Sequence, residues 1–246
     1  MSDRLLFHSC YHKCLTFYFY NVYKTFAESH SMKLQYLHND SQIMPDTDLL
    51  LDPHSLIKER QLLDNVSSYR GSHVIRDPRD LLISAYFYHL KTDEEWCAKP
   101  NPVNVSLPAD VSYQQHLLDL NQEDGLLYEL NHVAGAAIHR MASWDYGDAE
   151  ILELRYEHIL GDERATFKHL FEWYGFDEDM ADQAASIADS LALKNVAAHS
   201  AMQQHARSGS RIGQWRDFFT PAIKRTFKHR YGEALIKLGY CDSLNW

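Results

Sequence analysis

Hydrophobic positions along the chain fall into short runs that alternate with stretches of helical spacing. Arg4 to His8 carries the run Leu5, Leu6, Phe7 of a strand, and Thr16 to about Glu28 follows as a helix rich in Phe and Tyr. Lys33 to Leu37 and Asp48 to Leu51 predict two short strands, Leu56 to about Asn65 has the spacing and charge of a helix, and Ser72 to Ile75 predicts another strand. Asp77 offers an N-cap acceptor ahead of Pro78 at a first helical position, so Pro78 to about Leu90 should be helical. Beyond it the spacing predicts helices over about Ser112 to Leu120, Gly125 to Ser143, Arg164 to Tyr174 and Glu178 to Leu193, with a strand at Ile151 to Arg155. That rhythm is the one of an α/β fold with a parallel sheet and covering helices. Asp93 to Asp110 interrupts it with prolines and asparagines and reads as an ordered loop or lid. No internal repeat or low-complexity tract marks a boundary, so residues 1–246 read as a single domain.

Composition narrows the partners. An apolar fraction of 45% with 13% aromatics is ample for a buried core at this length. A net charge of -10 argues against a general nucleic-acid surface or an acidic leaflet as main partner, so any anion site has to be local. No apolar run approaches bilayer length, and MSDRLLFHSCYHK lacks a signal-peptide core with its cleavage site, so the expected compartment is the cytosol. Cys10, Cys14, Cys97 and Cys241 are too scattered for a disulfide framework and are expected to be reduced thiols.

Three stretches carry candidate chemistry. In YHKCLTFYFYNVY, residues 11–23, a turn bearing Lys13 lies between a strand and a helix, the layout that aims backbone N–H groups and a positive helix end at a phosphate. A solvated loop lysine would look the same. In HVIRDPRDLLISAYFYHL, residues 73–90, Arg76 sits at the carboxyl end of a strand and Ser84 in the helix that follows, where open α/β sheets bind ligands. Taken alone, Arg76 could pair with Asp77 or Asp80, and Ser84 could bond its own helix. In RSGSRIGQWRDFFTP, residues 207–221, glycines permit close backbone approach to an anion and arginines offer planar forks to phosphate oxygens; a flexible basic loop would also fit.

The alternation His8, Cys10, His12, Cys14 raises zinc as a rival. No matching pair follows at finger-like spacing, and an extended strand would align the four in a row instead of a tetrahedron, so no metal site is expected.

Together these stretches resemble the sulfotransferases that use 3′-phosphoadenosine 5′-phosphosulfate (PAPS). HKCLTFY at 12–18 resembles the family's 5′-phosphosulfate loop, RDPRDLLISAY at 76–86 its 3′-phosphate segment, and RSGSRIGQW at 207–215 its C-terminal phosphate-binding segment. LRYEHIL at 154–160 resembles its tyrosine-glutamate element. The four follow in order from end to end of the chain. The resemblance implies a three-layer α/β fold related to the P-loop kinases, while GxxxxGK[ST] is absent, which disfavours an ATP-dependent kinase. It implies that Lys13, Cys14, Leu15, Thr16 and Phe17 form the loop, with Lys13 and Thr16 on the phosphosulfate. Arg76, Ser84, Arg207 and Gly209, with Ser208 between the last two, would hold the 3′-phosphate, and Tyr156 would lie against the adenine. Four positions depart from the family, one of them Tyr18, which stands where a tryptophan is usual. Leu15 stands for a glycine and cannot take a positive φ cheaply, Phe17 replaces a hydroxyl residue, and Ser208 stands where a lysine is common.

The implied reaction is in-line sulfo transfer to a hydroxyl or amine, without a required metal, with product PAP. Lys13 is the candidate for the leaving phosphate oxygen. A general base is also needed, and among 15 histidines we favour His54 in LLLDPHSL, with Glu28 at the end of the first helix as the alternative. A protein that binds PAP or PAPS without transfer would keep the same anion-binding residues. The acceptor stays open among small phenols, lipids, peptide tyrosines and sugars.

Overall fold

The computed structural model describes residues 4–100, 107–192 and 212–246. Five strands, β1 (Leu5–Ser9), β2 (Leu34–Tyr36), β3 (Leu49–Asp52), β4 (Tyr69–Ile75) and β5 (Ile151–Arg155), form one sheet in the order β2-β3-β1-β4-β5. Every pairing is parallel, with Phe7 opposite Leu50 on one side and Gly71 on the other. All carboxyl ends therefore share one edge, and the chain leaves β1 at its centre.

The side chains of β1 sort by parity, as a strand requires. His8 faces α1 (Thr16–Ser29), its ring stacked on Phe19 at 3.6 Å. On that face α1 packs against α9 (Glu163–Tyr174) through Phe19 and Phe167 at 4.9 Å and Phe26 and Phe171 at 4.5 Å, and Tyr18 OH donates to Ala188 O of α10 (Glu178–Ser190) at 2.8 Å. Each fully buried phenylalanine contributes on the order of 2–3 kcal/mol. Leu5 and Phe7 face the other way, into a cluster with Leu50, Leu56, Ile57 and Trp144. The result is an α/β sandwich with helices on both sides of a parallel sheet, as the strand rhythm predicts.

One strand expectation and one helix expectation shift. β4 begins at Tyr69 rather than Ser72, and Gly71 inside it is explained by close approach, since a Cβ there would stand 2.3 Å from Phe7 Cζ. The helix expected over Leu56 to Asn65 is only the single turn α2 (Leu56–Glu59), because the chain turns off at Gln61 with φ 54°.

The described chain divides into two compact units, Met1–Arg76 with Ser143–Met202, and Asp77–Ala142 with Gln203–Trp246. The first holds the sheet, α1, α2, α8 (Tyr156–Ile159), α9 and α10. The second is helical: α3 (Pro78–His89), α4 (Glu95–Ala98), α5 (Tyr113–Asp119), α6 (Gln122–Asn131), α7 (Val133–Ser143), a 3₁₀ turn Gln214–Asp217, and a last helix, α11 (Pro221–Lys237). α4 lies inside the stretch expected to be a loop. One helix expected over 125–143 is two, broken at His132, because buried Glu129 turns its carboxylate onto the N–H of Ala134 (2.9 Å) and caps the second. No helix among the described residues is long and apolar enough to cross a membrane.

Candidate functional site

The loop between β1 and α1 is built on its own carbonyls. Tyr11 O accepts from Cys14 N (3.0 Å) and from Thr16 Oγ1 (3.2 Å), which closes a tight turn around Lys13. Lys13 and Leu15 both have φ 64°, and Leu15 is the N-cap of α1, with no side chain capping the helix. A leucine thus adopts the left-handed conformation for which a glycine is the usual choice, at a cost of about 1–2 kcal/mol. The uncapped end, with no acidic residue in its first turn, leaves the positive pole of α1 available to an anion.

The loop is pinned from three sides. Asp52, fully buried at the end of β3, accepts from Ser9 Oγ (3.0 Å) and Ile57 N (2.8 Å) through Oδ2 and from His54 N (3.3 Å) through Oδ1. Ser55 Oγ donates to Cys10 O at 3.1 Å. On the β4 side, Tyr11 OH meets His73 Nε2 at 2.8 Å, while His73 Nδ1 lies 2.9 Å from Glu153 and its ring stacks on Trp144 at 4.0 Å. The third tie is Arg76, whose Nη1 donates to Lys13 O at 2.9 Å.

Arg76 and Tyr156 meet because β4 and β5 end in register, Ile75 opposite Arg155. The guanidinium carbon lies 4.0 Å from the Tyr156 ring centroid. Arg76 is 3% exposed, and its Nε finds no hydrogen-bond acceptor among the described residues. A buried cation with an unused donor calls for an anion, and a phosphate oxygen supplies the charge and the lone pair together.

Two side chains of the zinc alternation, His8 and Cys10, are engaged elsewhere. His8 Nδ1 is 2.7 Å from Ser72 Oγ, and burial, then the proximity of His73, holds its pKa well below the ordinary value, so it is neutral. Cys10 Sγ donates to Thr16 Oγ1 at 3.1 Å, and burial pushes the Cys14 thiol up to about 12 against the opposing pull of Arg76. Among the described residues no group of three or more His, Cys, Asp or Glu side chains could hold a metal ion.

In the first unit the structure brings Lys13, Cys14, Leu15, Thr16, Arg76 and Tyr156 together at the carboxyl edge, with Phe17 in the first turn of α1. His54 is exposed just past β3 and lines an open cleft of about 510 Å³ with Tyr36, Leu37 and the turn 38–41. Glu28 lies in the last turn of α1, its side chain 67% exposed and 4.0 Å from Lys24. A rise of 1.5 Å per residue sets it about 18 Å along the helix from Thr16, so the fold does not bring it to the loop. Ser84 is half-buried in α3, within the second unit. Arg207, Ser208 and Gly209 lie outside the described residues.

Sequence reading missed the Tyr11–His73–Glu153 chain and Asp80. A histidine inside an apolar strand was the signal for the first, since a buried imidazole needs partners. Asp80, 1% exposed in the first turn of α3, accepts from Gly213 N (2.6 Å) and Trp215 N (2.9 Å) and so anchors the end of the segment 207–215. An acidic residue in a first helical turn looks like a dipole partner and conceals that second role.

Solved structures carry the same fold. Mouse sulfotransferase SULT7A1 complexed with PAP aligns at 15% identity and TM-score 0.58 over 96% of this chain and 86% of its own. Retinol dehydratase in complex with androsterone and inactive cofactor PAP aligns at 13% identity and TM-score 0.58 over 96% of this chain and 81% of its own. No curated protein sequence matches the chain. The family model described as sulfotransferase domain matches residues 72–239, more than half of the sequence. By that match the chain belongs to the sulfotransferase domain family.

Proposed function

We propose that the protein moves a sulfo group from PAPS to a hydroxyl or amine of an acceptor, and that residues 1–246 act as one catalytic domain, since the family match takes in residues of each unit. The observation that carries the donor assignment is Arg76: a buried guanidinium over Tyr156, tied to the lysine loop and holding a spare donor. Both solved relatives contain PAP, which fits that arrangement.

The residues divide the work. Lys13, Cys14 and Leu15 of the loop, with Thr16 and Phe17 at the start of α1, hold the 5′-phosphosulfate; Arg76, with Ser84, Arg207, Ser208 and Gly209 as the resemblance implies, holds the 3′-phosphate. Tyr156 borders the adenine. The acceptor oxygen or nitrogen forms its bond to sulfur as the bond from sulfur to the bridging phosphate oxygen breaks, and PAP leaves. Lys13 meets the charge that grows on that oxygen. The acceptor's proton passes to His54, which stands at the open edge and can release it to water. Glu28 is set aside by its distance along α1. No metal enters the scheme.

Calorimetric titration with PAP and with AMP, which lacks the 3′-phosphate, tests the donor site. PAP should bind at least about tenfold more tightly, since one charge-assisted contact is worth 1.5–3 kcal/mol. Equal affinities would refute the assignment. Transfer from labelled PAPS, abolished in Lys13→Ala while that variant, with Arg76 intact, still prefers PAP to AMP, tests the chemistry; PAP binding with no transfer to any acceptor would mark a binding protein.

A further inference from the structure

The carboxyl edge of the sheet carries a second constructed surface beside the loop. After β2 the chain turns at His38–Ser41, where Ser41 N donates to His38 O (3.0 Å) and His38 N donates back to Ser41 Oγ (3.2 Å). Arg60 Nη1 adds a bond to His38 O at 3.3 Å. Behind the turn Gln35, 6% exposed, donates to Gln42 O (2.7 Å) and accepts from Met44 N (3.0 Å) and Thr47 Oγ1 (2.8 Å), so one buried amide fixes the whole 42–47 connection. This wall is shaped before any ligand arrives, which lowers the ordering cost of binding.

A row of rings leads to it from the phosphosulfate loop. Phe17, in the first turn of α1, stands 6.5 Å from Tyr20, Tyr20 stands 5.8 Å from Tyr36, and Tyr36 stands 5.3 Å from His38. Phe17, Tyr20 and Tyr36 are half-buried and His38 is exposed, so the row is not sealed in the core. It ends at the cleft where His54 faces the His38–Ser41 turn.

The lining selects an acceptor by its chemistry. Asn39, Asp40, Ser41 and two imidazoles offer donors and acceptors in both directions, and no lysine or arginine is among the described lining residues. Arg60 bonds the His38 carbonyl without being among the described lining residues, whereas Asp40 lines the cleft and its carboxylate repels a phosphorylated or sulfated acceptor. A lipid chain needs an enclosed apolar slot, whereas this cleft is open and mostly polar, and Leu37 is fully buried. Half-exposed rings beside a carboxylate, an amide, a hydroxyl and two imidazoles suit an uncharged molecule that has both C–H faces and several hydroxyls. We infer that this cleft binds a neutral saccharide, whose hydroxyl beside His54 accepts the sulfo group. The inference rests on the sulfotransferase reading above.

The test is transfer from labelled PAPS to a panel of methyl glycosides and neutral oligosaccharides, simple phenols, sulfated saccharides and a long-chain alcohol, with PAP affinity measured alongside. Neutral saccharides should be the accepted class. Tyr36→Ala and Asn39→Ala should each raise the saccharide KM by about tenfold with kcat and PAP affinity near wild type, and Tyr36→Phe, which keeps the ring, should raise it far less. Transfer to phenols or the alcohol but to no neutral saccharide overturns the inference, as does an unchanged KM in both Tyr36→Ala and Asn39→Ala or PAP binding with no saccharide sulfated. Failure to bind PAP would instead bring down the donor assignment, and this inference with it.

Discussion

Arg76 donates a guanidinium N–H to the carbonyl oxygen of Lys13 across 2.9 Å, so the residue assigned to one phosphate also sets the backbone of the loop assigned to the other. Arg76→Met should therefore weaken PAP binding by about 30-fold or more, combining a lost charge-assisted contact with a released loop. Arg76→Lys keeps the charge but cannot lie flat on Tyr156 and donate to Lys13 at once, and should recover only part of the loss. Calorimetric titration of PAP against all three proteins, with thermal melts to confirm folding, decides; a lysine variant equal to wild type would show that charge alone matters.

Leu15 tests the left-handed turn. At φ 64° a glycine is free of Cβ strain but loses the half-buried leucine side chain, so Leu15→Gly should leave stability within about 1 kcal/mol of wild type. Leu15→Val places a β-branched residue in the same conformation and should destabilise by about 1–3 kcal/mol. Urea unfolding midpoints of the two variants measure the difference, and a valine tolerated as well as glycine would mean that the loop is not held in this conformation.

The α/β class and the approximate place of each strand were legible because the apolar runs are short and the helices periodic. The lysine turn and the strand-end arginine were legible as well, since each sits where chain direction changes. What could not be read were contacts made by polar residues buried far from their partners in sequence. Asp52 ties Ser9, His54 and Ile57 together, and His73 joins Tyr11 to Glu153, yet in the sequence each is a lone polar residue in or at the end of an apolar strand. The break at His132 was hidden for the same reason, because the cap that allows it comes from a glutamate inside the preceding helix. Leu15 was an apparent obstacle that local pairing overrides: Cys14 N and Thr16 Oγ1 both bond Tyr11 O, and the backbone is held in spite of the side chain.

Asp148 gives the fold an acid-sensitive tie. Burial raises its pKa, but the ammonium of Lys58, the hydroxyl of Tyr69 (2.7 Å) and the N–H of Glu150 (3.0 Å) outweigh burial and hold it below the ordinary carboxylate value. A carboxylate with a lowered folded pKa stabilises above its unfolded value, about 3.9, and that contribution fades as pH falls through the lower folded pKa. Asp148→Asn should destabilise the protein by about 1–3 kcal/mol at pH 7, and the gap to wild type should close below about pH 4. Chemical denaturation at a series of pH values checks the sign; a gap that widens on acidification would contradict it.

Asp80 is the last side chain whose removal separates anchoring from surface charge. Its two carboxylate oxygens take the N–H groups of Gly213 and Trp215, and the neighbouring Arg79 chelates Asp77 while lying 4.2 Å from the Trp215 ring and 4.7 Å from the Trp246 ring. Gly213 has φ 76°, a conformation the glycine supplies and the carboxylate secures. Asp80→Ala leaves two N–H groups facing a cavity and should destabilise by about 2–4 kcal/mol, while Asp80→Asn keeps one acceptor, turns an NH₂ toward the other N–H, and should fall between. Release of Trp215 from its stack should also shift tryptophan emission to the red before the main unfolding transition. Because RSGSRIGQW ends at Trp215, the alanine variant should bind PAP more weakly as well, even below the temperature at which it begins to unfold. An alanine variant with wild-type melting, emission and PAP affinity would show that the segment is positioned by something other than Asp80.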